Sequence, residues 1–184
     1  MKSHILFAIA ISVFGLSVTS SPVSAQEQLS EQANEDVAVQ IASAYIAQQK
    51  LIRKTAPIHS AEQLAGFLAK TKDTASPIDL LSPVAKARFV DSLRFNETGV
   101  TSFYYADIES ELNSSQAYEL LSTFGLQSTL AFMPKLRVDN AKDREIMTAF
   151  SDEVPLLMAD HENYWCSSRA TCSRDIGSIC MSGC

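Results

Sequence analysis

The sequence predicts a mostly α-helical fold: a single helical domain of five or six helices with room for a minor β-hairpin, followed by a C-terminal tail tied by disulfides. Three observations carry that expectation. Apolar residues recur at three- and four-residue spacing in several separate stretches. Ser-Pro and Asn-Ser-Ser clusters punctuate those stretches as helix starts. All four cysteines fall within the last 19 residues, in a segment without helical periodicity.

The first 25 residues stand apart from the rest. Lys2 precedes the uncharged run Ile5 to Val18, and Val23-Ser24-Ala25 places small residues where signal peptidase has shallow pockets. The run matches the roughly 7–15 residues of a signal-peptide core and falls short of the ~20 of a bilayer span. Cleavage after Ala25 is expected, leaving 159 of 184 residues and no stable membrane span. That length builds one domain with its own core. The predicted organisation is a signal peptide over residues 1–25, a helical domain over 26–160 and a cysteine-rich tail over 161–184. A lipid anchor would need a cysteine just after the apolar run, and the first cysteine is Cys166.

The first helix begins near Ser30, with Val37, Ile41, Ala44 and Tyr45 as its apolar stripe and neither Gly nor Pro up to Ala56. A second is capped by Ser60, with Gln63 at the capping-box position and Leu64, Phe67 and Leu68 facing inward. Lys70 to Ser76 reads as a polar linker. Ser76-Pro77 and Ser82-Pro83 each start a helix, the second carrying Val84, Ala87, Phe89, Val90 and Leu93 and ending at Asn96. Val100 to Tyr105, rich in β-branched and aromatic residues, reads as a short strand whose natural mate is Leu126 to Met133. Between them Asn113-Ser114-Ser115 caps a helix with Ala117, Leu120, Leu121 and Phe124 on one face and Gly125 at its end. The last helix runs from about Asp139 to Asp152, with Ile146, Met147, Ala149 and Phe150 inward, and Pro155 breaks it or starts another turn.

The chain carries 15 Lys+Arg against 21 Asp+Glu, a net charge of −6 that becomes −7 when Lys2 leaves with the signal. Nucleic acid and anionic membranes attract clustered positive charge, so neither is an expected partner. A hydrophobic content of 46% with 20% charged residues is that of a globular chain.

Cys166, Cys172, Cys180 and Cys184 are spaced C-x5-C-x7-C-x3-C. An even number in an exported chain implies two disulfides, with all three pairings open. Zinc would need paired short knuckles, and only Cys180/Cys184 has that spacing, so no metal and no cofactor are expected. Redox catalysis favours a Cys-x-x-Cys pair, which is absent, so the cysteines read as structural.

No catalytic residue is assigned. His59 and His161 are the only histidines after signal removal, and neither belongs to a His-Glu-x-x-His motif. There is no Gly-x-Ser-x-Gly elbow and no Gly-rich phosphate loop. Asp107, Glu109 and Glu111 follow Phe103-Tyr104-Tyr105 and could do acid–base chemistry if buried, although such acids more commonly begin a solvated helix. Asn96-Glu97-Thr98 and Asn113-Ser114-Ser115 are glycosylation sequons that also serve as turn and cap.

The expected function is that of a secreted or periplasmic, non-enzymatic protein presenting its two-disulfide tail to a protein partner. Tyr164, Trp165, Arg169 and Arg174 are the candidate interaction residues, Trp165 being the chain's single tryptophan. Two alternatives stand beside it: a precursor whose tail is released as a small disulfide-bonded signalling or antimicrobial peptide, and an enzyme of unrecognised type. The first lacks a dibasic or Gly-Gly cleavage site before Cys166.

Overall fold

A computed structural model describes residues 25–71, 75–151 and 160–184, with side chains from Glu35 onward. The chain divides into two compact units, Met1–Val37 and Ala38–Cys184. In the first, residues 25–37 are helical. The expected signal peptide lies outside the described residues apart from Ala25, which opens helix α1 (Ala25–Thr55). Pro155 and residues 72–74 of the expected linker lie outside them as well.

Helix α1 does not bury the stripe its spacing suggests. Val37 and Ile41 are each 54% exposed, Ala44 is exposed and Tyr45 is half-buried. The side that packs is Gln49, Arg53 and, just past the helix, Ala56, all buried. The cause is a close backbone approach. Gly99 and Gly125, both with positive φ, press against the Ile52–Arg53 backbone at distances no Cβ would permit. The helix is held at its last turn by two glycines, while Val37 and Ile41 further up stay exposed.

Helix α2 (Ala61–Lys70) starts as expected, Ser60 Oγ accepting from the Gln63 N–H at 3.2 Å. The returning Gln63 side chain accepts from the His59 N–H, one residue before the box predicts. Leu64 is buried, with Phe67 and Leu68 packed against the core. Both Ser-Pro steps start helical turns: the 3-10 turn Pro77–Leu80 and helix α3 (Pro83–Ser92). Ala85 and Phe89 face inward while Val84 is 68% exposed and Ala87 is exposed.

Helix α3 stops at Ser92, short of the expected Asn96. The Ser92 hydroxyl donates to the Phe89 carbonyl at 2.7 Å and accepts from the Tyr104 N–H at 2.8 Å, so it ties the helix end to a strand. Residues Arg94–Asn96 form strand β1, which turns through Glu97-Thr98 into β2 (Gly99–Tyr104). Asn96 Oδ1 folds that turn by accepting from both the N–H and the hydroxyl of Thr98, each at 2.7 Å.

Strand β2 lies where Val100 to Tyr105 predicts one, but its mate is not Leu126 to Met133. That run winds into a 3-10 helix, Gln127–Phe132, which with its flanks buries Leu126, Leu130 and Met133. Spacing of four and three puts the three side chains on one helical face, and a short apolar run does not distinguish that from a strand. The true neighbours of β2 are β1 and β4 (Thr171–Cys180), and β3 (His161–Ser168) completes an antiparallel sheet of order β1-β2-β4-β3.

This sheet overturns the predicted fold class. The cysteine-rich segment is no tail: it supplies two of the four strands packed with the helices. Five of the six β2 residues are buried, so its backbone groups need partners on both sides. β4 provides the second side, with Ser102 opposite Cys180 and the Met181 N–H donating to the Thr101 carbonyl at 2.8 Å. Ile179 is fully buried in the same cluster as Phe89, Phe103 and Phe124. The Phe89 ring meets Phe103 and Phe124 edge-on at 6.0 and 5.5 Å, joining α3 and the sheet to the segment just before Gly125.

Helices α4 (Ala106–Glu111), α5 (Ser114–Ser122) and α6 (Ala141–Ser151) complete the described elements. Asn113 and Gln116 form a reciprocal capping box, each bond 3.0 Å, and Ala117, Leu120, Leu121 and Phe124 are buried as predicted. In α6, Ile146, Met147 and Phe150 pack inward, whereas Ala149 is exposed. Asp143 is wholly buried beneath the start of α5. Its carboxylate accepts from the N–H and hydroxyl of Ser115, the N–H of Asp139, and the N–H and amide of Asn140.

Candidate functional site

The β3–β4 hairpin is built from residues that favour a twisted, half-buried ribbon: Tyr164-Trp165-Cys166 faces Cys172-Ser173-Arg174 across an Arg169-Ala170 turn. Ala170 has φ 57, and its N–H donates to the Cys184 carbonyl at 2.7 Å. Beyond Tyr164 the register jumps from Arg174 to Ile179 opposite Glu162, so β4 swells out of register with β3 over residues 175–178. Gly177 permits the swelling: it has φ +89, and a Cβ there would meet the Tyr104 ring at 2.8 Å. Its carbonyl accepts from the Tyr105 N–H at 2.7 Å.

The two disulfides follow from this geometry. Cys172–Cys180 spans the base of the swelling, bringing residues eight apart to a Cα separation of 6.0 Å. Cys166–Cys184 ties β3 to the segment after β4 at 5.5 Å. Bonds of this kind persist in an oxidising compartment. The Sγ atoms of Cys166, Cys180 and Cys184 lie within 4.8 Å of one another. That is metal-ligand spacing, but the electron pairs a soft metal would take are engaged in sulfur–sulfur bonds.

Cys166 and Cys184 line a groove of about 690 Å³ between the hairpin turn and the β1–β2 turn. Its charged side chains are Lys50, Arg94 and Arg169 against Glu97, three positive to one negative in a chain whose side chains sum to −6. None of the three cations forms an ion pair among the described residues. Arg94 is anchored by donating to the Asp91 and Leu93 carbonyls, and its guanidinium lies over the Trp165 ring, 5.2 Å from the centroid. The half-buried Trp165 thus serves as a platform for a groove cation.

The four candidate interaction residues therefore divide. Arg169 lines the groove and Trp165 reaches it through Arg94. Tyr164 and Arg174 face each other in the hairpin register and lie outside the groove, Tyr164 meeting the edge of the His161 ring at 6.1 Å. The sequence carried no signal for Lys50, which arrives from α1. Arg94 and Glu97 flank a turn whose Asn-x-Thr-Gly pattern was visible, but their meeting with Arg169 depends on sheet order.

The acids singled out for acid–base chemistry are occupied in joining elements. Asp107 pairs with Arg88 at 3.3 Å, Glu109 accepts from the Lys135 N–H at 2.9 Å, and Glu111 accepts from the N–H and hydroxyl of Ser82, each at 2.7 Å. His59 lies with Nδ1 2.7 Å from the Ala56 carbonyl and Nε2 3.2 Å from the Gln63 amide nitrogen.

Two further ionisable groups anchor the sheet's C-terminal margin. Arg53, 2% exposed, donates to the Ser182 carbonyl at 2.8 Å, while Asp160 accepts from the Ser182 N–H at 2.6 Å. Burial lowers the Arg53 pKa and raises that of Asp160, and their mutual attraction opposes both shifts. At the same end of β3 the hydroxyl of the buried Tyr105 donates to Glu162 at 2.9 Å, and burial together with that carboxylate pushes the phenol well above its usual range. Among the described residues no helix is long and apolar enough to cross a membrane. No family model, curated protein or solved structure matches the chain.

Proposed function

We propose that this is a secreted or periplasmic, non-enzymatic binding protein that takes an acidic segment of a protein partner in the groove beside the Cys166–Cys184 disulfide. The observation that carries the reading is the local charge: Lys50, Arg94 and Arg169 line the groove with a single acidic side chain, Glu97, in a chain that is otherwise acidic. Held cations of one sign attract and orient an oppositely charged partner, and a disulfide beside them fixes the wall. The apparent tail is the groove's own framework, and the burial of Ile179 in the common core opposes its release as a separate peptide.

The exported chain, titrated with a fluorescently labelled hexaglutamate, tests the site. Binding should weaken with salt, and Lys50→Glu combined with Arg169→Glu should reduce affinity by about tenfold or more. Arg174→Glu, outside the groove, should change it little. Equal losses from the two variants would sink the groove reading. Intact mass of the exported product tests the compartment: a chain beginning at Gln26 supports signal cleavage, whereas a soluble chain retaining residues 1–25 refutes it.

A further inference from the structure

The sulfur cluster carries an inference of its own, independent of what the groove binds. The two disulfides differ in access: Cys166 and Cys184 are both half-buried and open onto the groove, while in the other bond Cys172 is half-buried outside the groove and Cys180 is fully buried. A thiol arriving from solvent therefore meets the outer bond first. Either sulfur released by opening that bond lies within 4.8 Å of Cys180 Sγ, one half of the inner bond. Lys50, Arg94 and Arg169 line the same groove as the outer bond, and nearby cations stabilise both an attacking and a departing thiolate.

We propose that Cys166–Cys184 is a thiol-accepting disulfide that passes its opening to Cys172–Cys180, making the pair a switch operated by a low-molecular-weight thiol. In the first step the thiolate of such a compound attacks Cys184 Sγ. A mixed disulfide forms, the Cys166–Cys184 bond breaks, and its electron pair leaves on Cys166 as thiolate. Cys166 then attacks Cys180 Sγ; the Cys166–Cys180 bond forms, Cys172–Cys180 breaks, and the charge moves to Cys172. Finally Cys172 displaces the small thiolate from Cys184, forming Cys172–Cys184. The partners of the last step come from neighbouring chain, since Cys184 Sγ lies 3.4 Å from the carbonyl oxygen of Thr171, the residue before Cys172. Each step makes one sulfur–sulfur bond and breaks one, and the small thiolate returns unchanged. The structural consequence falls on residues 175–178, because the bond closing the base of that swelling is the one exchanged.

The test uses the full chain. Incubation with glutathione, quenching with N-ethylmaleimide and non-reducing peptide mapping should show the native Cys172–Cys180 cross-link lost in parallel with Cys166–Cys184. A Cys166–Cys180 cross-link should appear in their place, with Cys184 carrying first a glutathione adduct and then a bond to Cys172. Loss of Cys166–Cys184 with Cys172–Cys180 intact in the same molecules would overturn the proposal, as would both native bonds surviving until the protein unfolds. Cys166→Ser supplies a second readout: its Cys184 thiol should attack Cys180 unaided, giving a mixture of Cys172–Cys180 and Cys180–Cys184 without added thiol. A folded variant showing only Cys172–Cys180 would count against the exchange.

Discussion

Gly99→Ala should be among the most damaging single-methyl changes available to this chain. A Cβ built on Gly99 falls 2.8 Å from the Arg53 carbonyl oxygen and 2.9 Å from both its carbonyl carbon and its Cβ. Two of these are backbone atoms of the last turn of α1, so no flexible side chain can swing aside. The φ of +107° adds a conformational cost of about 1–2 kcal/mol for any residue with a Cβ. Overpacking adds about 1–3 kcal/mol, and the reduced entropy of the unfolded chain returns about 0.4–1 kcal/mol. The net loss is roughly 2–4 kcal/mol, or a fall in Tm of about 5–15 °C for a chain of this size. Gly66→Ala is the matched control, since its added Cβ meets nothing within 4 Å in the middle of α2. There alanine should stabilise by up to ~1 kcal/mol through helix propensity. Urea unfolding with both disulfides intact, followed by circular dichroism, measures both. A Gly99→Ala loss below about 1 kcal/mol would refute the idea that this close approach holds α1 in place.

Two further changes probe the polar and covalent ties. Five hydrogen bonds favour the Asp143 carboxylate, that from the Ser115 hydroxyl foremost, and hold its pKa below the usual carboxylate value. Its contribution to stability is therefore full above the unfolded carboxylate pKa and is lost as pH falls through the lower, folded value. Asp143→Asn places an amide N–H among donors and should cost about 2–3 kcal/mol at neutral pH while flattening the loss of stability in acid, read from urea midpoints across that range. Cys172→Ala with Cys180→Ala frees a loop of eight residues. Loop-closure entropy puts the loss at about 2–3 kcal/mol, measured the same way.

What was legible in the sequence is what short-range chemistry decides. Ser60 with Gln63, the two Ser-Pro steps, and the Asn113-Ser114-Ser115 cluster all start helical segments where expected, because a cap is settled by groups within four residues of each other. Strand β2 was legible from its own composition, and its partners were not. Residue Ser102 finds Cys180 across 78 positions of chain, and nothing in either stretch names the other. Helix α1 misled for a related reason. Spacing shows which residues share a face, but here two distant glycines chose which face is covered.

The cysteine segment shows the same limit at the site itself. Its even cysteine count and small polar spacers signalled disulfides, and two are present. The same features hid the strands: alternation in Tyr164-Trp165-Cys166 is brief, and the register jump at residues 175–178 destroys any longer period in β4. A disulfide-rich segment that must also serve as an inner strand faces two constraints at once. Ile179 has to reach the core, and Cys180 has to reach Cys172 eight residues back. An extended strand would hold those cysteines roughly 26 Å apart. The swelling reconciles the two demands, and in doing so it carries the inner disulfide up to the outer one. The stacking of sulfurs that makes exchange feasible is thus a consequence of fitting a bonded loop into a paired strand, which is why it could not be read from cysteine spacing alone.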